Sequence, residues 1–265
     1  MAASELSELH ETEIKQYYDE HVMSKLGAFV NVNPRVERAW TTIRNWAPTN
    51  PKRILEVGCG VGDVAWRMSR YWPDAEVVGL DISPKSIEIA TKMFGSPKVK
   101  FEQGLLVPGA LTGPFDLIVF MDVYEHIAVA DRPSVHASIK ELLSKNGRVV
   151  FAVPTPRHLA WLKVNDPANI QPVDEDIDVA VMLALANDTD TEILFYQEVG
   201  IWHEGDYAHA VLSPKSGWSG VACGRGGLKR RLRELVNPKR RPPTSSRAQR
   251  LAIVNKALAP DRYPG

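Results

Sequence analysis

The chain has 265 residues, 32 Lys and Arg against 32 Asp and Glu for zero net charge, and an apolar fraction of 44%. That balance excludes collagen-like, coiled-coil and fully disordered chains and fits a globular α/β domain with additions. Two cysteines, Cys59 and Cys223, cannot build a disulfide framework or a four-cysteine zinc site, and no apolar run nears the roughly 20 residues of a membrane-spanning helix.

Residues 1–13 are polar and acidic with no apolar signal core, so the expectation is a cytoplasmic protein with reduced thiols. In chain order, residues 4–18 read as a helix. Pro34–Trp46 reads as a second, with Val36, Ala39, Trp40, Ile43 and Trp46 on one side. After a break at residues 48–51, strands alternate with helices. Strands are expected at Arg53–Val57, 76–80, 99–102, 115–120, 148–153 and 192–199. Helices are expected at 64–71, Pro84–Phe94 with Ser83 as N-cap, 133–143 and 228–236. Uniformly apolar strands separated by helices predict a doubly wound, mostly parallel sheet covered on both faces. Ligands on such sheets bind at the carboxyl ends of the strands.

The first strand runs into Glu56-Val57-Gly58-Cys59-Gly60-Val61-Gly62. Glycines there allow a tight turn and a close approach to a ligand. The spacing is neither the dinucleotide GxGxxG nor a phosphate-binding loop, which requires Gly-Lys-Ser/Thr. Glu56 ends its strand where it can hold a cationic amine, and Asp81 ends the next where it can accept two ribose hydroxyls. Together they describe a site for a nucleoside carrying an amino acid.

Residues 53–62 resemble motif I of the class I S-adenosylmethionine-dependent methyltransferases. Residues 78–83 resemble that family's second motif, 115–119 its fourth strand, and 142–150 the passage into its fifth. The resemblance implies a Rossmann-like, seven-stranded methyltransferase fold with S-adenosylmethionine as cofactor. It places Gly58 and Gly60 at the methionine part, Asp81 at the ribose and Ile82 against the adenine, with Met121 nearby. The third-strand position that often carries Asp after Gly104 is here Leu105, leaving adenine to backbone groups or Gln103. Tyr17 and Tyr18 resemble a tyrosine lid over the cofactor.

A helix starting at Asp122 would put Asp122, Glu125 and His126 on one face. Two carboxylates and an imidazole suit Mg²⁺ or Mn²⁺, which would lower the pKa of a bound hydroxyl. The set is similar to the Glu-x-x-Glu-His motif of metal-dependent O-methyltransferases, for which His203 is the expected further ligand. Without a metal, His126 or His203 is the expected general base.

The expected layout is an N-terminal helical cap (1–50), a cofactor core (51–156), a substrate-side segment (157–223) and a basic tail (224–265). The third segment carries His158, Trp161, Trp202, His203, Tyr207, His209 and Trp218. Such a mixture suits a small polyhydroxylated acceptor, a sugar or glycoside favoured. Between 225 and 250 there are ten Lys or Arg and one acid, while 174–192 holds seven acids and no Lys or Arg. The basic stretch has no interleaved aromatics, so a docked helix or solvated arm is expected over nucleic-acid binding, and the two stretches could meet between subunits of a homo-oligomer. The competing readings are a metal-independent N-methyltransferase, an RNA methyltransferase using the tail, and a non-catalytic scaffold.

Overall fold

The computed structural model describes residues 3–215, 246–259 and 263, with side chains from Thr12 onward. Three helices open the chain: α1 (Ala3–Glu20), α2 (Val22–Val30) and α3 (Pro34–Trp46). Then come β1 (Arg53–Val57), α4 (Asp63–Tyr71), β2 (Glu76–Asp81), α5 (Pro84–Phe94), β3 (Val99–Gln103) and β4 (Phe115–Met121). The second half holds α6 (Arg132–Leu142), β5 (Leu143–Pro154), α7 (Pro156–Asn165), α8 (Val179–Asp188), β6 (Thr191–Val199), β7 (Tyr207–Pro214) and α9 (Arg247–Ala257).

The seven strands form one sheet in the order β3-β2-β1-β4-β5-β7-β6. The first five are parallel, and β7 runs antiparallel to both its neighbours. This is the expected doubly wound, mostly parallel sheet, with one antiparallel strand inserted near its edge. Alternation along the central strands feeds two cores. Leu55, Ile118 and Phe120 face one layer, Ile54, Leu117 and Val119 the other, each fully buried apolar side chain contributing about 1.5–3 kcal/mol. The order reverses between β1 and β4, so the crevice at their carboxyl ends is where this topology places a ligand.

Local chemistry fixes the helix starts. The Ser83 hydroxyl accepts from the Ser86 amide at 3.0 Å, with Pro84 opening α5. Asn33 caps α3 through the Arg35 amide at 3.0 Å, and Ser246 with Gln249 forms a capping box on α9. A third core joins Val22, Leu26, Phe29 and Val30 of α2 to Val61 in the glycine loop and Val254 in α9.

Three expectations need correction. Helix α2 lies in a stretch where no element was foreseen. No α-helix starts at Asp122, because that residue has a φ of 54° and leads into a single 3₁₀ turn, Tyr124–His126. Of residues 202–209, the last three belong to β7. The expected helix at 228–236, together with Trp218 and Cys223, lies outside the described residues. Among the described residues, no helix is long and apolar enough to cross a membrane.

Candidate active site

The turn after β1 carries positive φ at Gly58 (68°), Gly60 (50°) and Gly62 (85°), which side-chain-bearing residues rarely adopt. A Cβ at Gly58 would collide with the Val123 side chain, so the close approach of the β1 and β4 turns itself requires glycine there. The Gly60 amide donates to Asp81 Oδ2 at 2.7 Å and the Ser83 amide to Oδ1 at 2.9 Å. Each oxygen is thereby oriented and keeps a lone pair for a hydroxyl. Glu56 is buried, one of its oxygens has no partner, and burial pushes its carboxyl well above the usual range. A buried, unsatisfied carboxylate oxygen calls for a positively charged ligand.

These groups line one cavity of about 450 Å³. Gly58, Gly60, Asp81, Ile82, Gly104, Leu105 and Met121 line it. So do Asp122, Val123 and His126, while Tyr18, Lys25, Arg35 and Gln171 come from the cap and the segment after α7. The Tyr18 hydroxyl donates to Gln171 Oε1 at 2.9 Å, joining α1 to that segment.

The acids and imidazole after β4 do not assemble a metal site. Asp122 turns to the Arg35 guanidinium, 3.3 Å from its Oδ1, and that cation already answers its charge. Glu125 is buried, and burial raises its carboxyl above the usual range. His126 Nδ1 lies 2.7 Å from the Val173 carbonyl and 3.1 Å from Asp174, and its Nε2 faces Glu125 at 3.7 Å. Among the described residues, no group of three His, Cys, Asp or Glu side chains is placed to hold a metal ion. Burial alone would lower the pKa of His126, but Glu125, Asp174 and the Val173 carbonyl outweigh it and raise it to about 9. These partners favour the imidazolium form of His126, which weighs against its expected role as general base.

Three other candidates fall outside the cavity. Tyr17 stacks on His21 at 4.1 Å, and Tyr18, one position on, takes the cavity wall. Gln103 is exposed and reaches only the Ile82 carbonyl, at 3.5 Å. His203 is exposed on the β6–β7 loop, where it packs against Trp161. It belongs to a surface shelf built by His158, Trp161 and Trp202, whose planes are parallel within 5° and 22° at spacings of 6.2 and 6.5 Å. Asp206 holds the loop by accepting the Ile201, Trp202 and His203 amides at 2.8–3.0 Å. Arg35 links shelf to cavity: its guanidinium lies 5.7 Å over Trp202, and its Nη1 donates to the Tyr207 hydroxyl at 3.0 Å. Lys25 and Arg35 carry no linear signal, since both reach the site from cap helices far from its motifs.

The family described as "Methyltransferase domain" matches residues 31–190. The chain is 32% identical over 112 residues to a release factor glutamine methyltransferase of Deinococcus radiodurans, covering 40% of this chain and 39% of that protein. It is 32% identical over 136 residues to a ubiquinone biosynthesis O-methyltransferase of Paracidovorax citrulli, covering 49% and 54%. The chain thus spans about half or less of the curated relatives it matches. A TehB-like SAM-dependent methyltransferase structure from Corynebacterium glutamicum superposes with a TM-score of 0.56 at 21% identity, covering 76% of this chain and 99% of that one.

Proposed function

The chain belongs to the methyltransferase domain family, and from that premise we propose that it moves a methyl group from S-adenosylmethionine to a hydroxyl of a small, ring-bearing acceptor such as a glycoside. The observation that carries this reading is the joining, in one cavity, of a positive-φ glycine turn, the oriented Asp81 and the unsatisfied Glu56 oxygen with Asp122. Glu56 suits the cofactor's ammonium, Asp81 its ribose hydroxyls, and Ile82 with Leu105 the flat faces of its base. Bound there, S-adenosylmethionine supplies a methyl group on a sulfonium, open to in-line attack.

The remaining work falls to the chain's own side chains. Asp122 lines the cavity, and its buried Oδ1 has no hydrogen bond although Arg35 Nη1 lies 3.3 Å away, so its carboxylate is the group assigned to take the proton of an acceptor hydroxyl. Arg35 holds that carboxylate in place, and His126, its cation favoured by Glu125 and Asp174, donates rather than accepts. The Tyr18–Gln171 contact joins α1 to the segment after α7 at the cavity wall. No step is assigned to a divalent metal, because among the described residues no three His, Cys, Asp or Glu side chains are placed to hold one. The Trp161–His158–Trp202 shelf offers a flat apolar surface beside Arg35 for the acceptor's ring.

Isothermal titration with S-adenosylhomocysteine tests the reading. Wild-type protein should bind one equivalent, and Asp81→Ala should weaken that binding by roughly tenfold to a hundredfold, the loss of charge-assisted hydrogen bonds. Wild-type protein that takes up no nucleoside at millimolar concentration would sink it.

A further inference from the structure

The cofactor-facing wall includes a cation that lies outside the family-matched residues 31–190. Lys25 projects from α2 across the glycine turn. A Cβ built on Gly60 would lie 3.5 Å from Lys25 Cδ and 3.7 Å from Nζ. The ammonium sits 4.7 Å from the centroid of the Tyr18 ring, whose face steadies it without neutralising it. The other two cations on the cavity wall are committed: Arg35 to Asp122, and His126 to Glu125 and Asp174. Among the described residues, no carboxylate is paired with Lys25. Glu56 and Lys25 act on the buried Cys59 between them with opposite sign. The turn is thus flanked by an unsatisfied carboxylate oxygen on one side and an unanswered ammonium on the other, the complement of an amino-acid zwitterion.

Resting on the reading above, we propose that Lys25 receives the carboxylate of the cofactor's methionyl arm, making the N-terminal cap part of the cofactor site and not only a cover for the acceptor. The charge of α2 then selects nucleosides that carry an amino-acid arm over those that have lost it. It also ties that arm, through the Tyr18 ring, to the Tyr18–Gln171 contact at the cavity wall.

Two ligands separate this role from a structural one. S-adenosylhomocysteine carries the carboxylate, whereas 5′-methylthioadenosine has the same nucleoside and sulfur without it. In calorimetric titrations, Lys25→Met should lose roughly tenfold to a hundredfold in affinity for S-adenosylhomocysteine, the loss of one charge-assisted contact. Its affinity for 5′-methylthioadenosine should stay within about twofold, which also shows that the variant is folded. Lys25→Arg should recover most of the loss. Equal weakening for both ligands, or none for either, overturns the proposal while leaving the methyltransferase reading intact. Wild-type protein that binds neither ligand overturns both.

Discussion

Asp122 holds a left-handed backbone conformation that costs a residue with a side chain on the order of 1–3 kcal/mol, and it holds it at the cavity wall. Its Oδ1 lies 3.3 Å from Arg35 Nη1 and is buried without a hydrogen bond. Asn tolerates the same backbone conformation, so Asp122→Asn should leave cofactor affinity within about twofold and reduce turnover by about a hundredfold, the usual weight of a positioned proton acceptor. Steady-state rates beside calorimetric affinities decide this, and undiminished turnover would remove Asp122 from the chemistry. The position of this residue is legible in the sequence because the end of β4 is plain from its apolar run. Its role is not, because the spacing of Asp122, Glu125 and His126 makes a ligand set only on a helix, and φ at Asp122 prevents one. Gly58 and Asp81 are readable for the opposite reason: their tasks are set by backbone position at strand ends. Lys25 and Arg35 leave no such trace, since only tertiary packing brings them to the turn.

Among the helices, α9 has the most leverage for its length. Its Arg250 is fully buried, donates to the Phe29 carbonyl at 3.0 Å, and lies 3.4 Å from Asp63 Oδ2 and 4.7 Å over the Phe29 ring. Asp63 begins α4 immediately after the glycine turn and also pairs at 2.9 Å with Arg67, which reaches Glu37 of α3 at 2.6 Å. One charged network therefore ties α3, α4 and α9 at the base of the cofactor loop. Without Arg250, Asp63 keeps Arg67 but the buried Phe29 carbonyl loses its donor, so Arg250→Ala should cost about 1–3 kcal/mol. Urea unfolding measures this, and a change under about 1 kcal/mol would show that the network contributes little. The sequence admits a docked helix in the basic stretch and offers the acidic segment 174–192 as one meeting place, but Arg250 does not go there. The partner is Asp63, an acid hidden inside the glycine motif. Strands β1, β2 and β4 and helix α5 stand where patterning puts them because caps and apolar runs decide them locally. Helix α2 is short and owes its place to Val61, Ile89 and Val254, contacts that a linear pattern does not display.

The whole sheet carries a buried titratable group at the junction of its parallel and antiparallel parts. His209 of β7 is paired across to Ala152 of β5 and shares a 2.8 Å hydrogen bond with Thr42 of α3. Burial, with a smaller push from Arg38, lowers its pKa to about 4. A depressed histidine binds fewer protons folded than unfolded. Its contribution is therefore complete above the unfolded value, ~6.5, and drains as pH falls toward about 4, up to ~3 kcal/mol in all. Thermal unfolding of the wild type should fall across that window, and His209→Asn should flatten the fall; parallel curves would refute the assignment. Six of the seven strands are readable from their apolar runs, β7 being implied only by the family resemblance, but the shelf of Trp161, His158 and Trp202 is not, because its rings come from separate elements and meet only in the folded chain. Tyr18 and Gln171, which meet at the cavity wall, are likewise 153 positions apart. Their bond is a seam between the N-terminal cap and the segment after α7, so any motion that widens the cavity at that edge must part it.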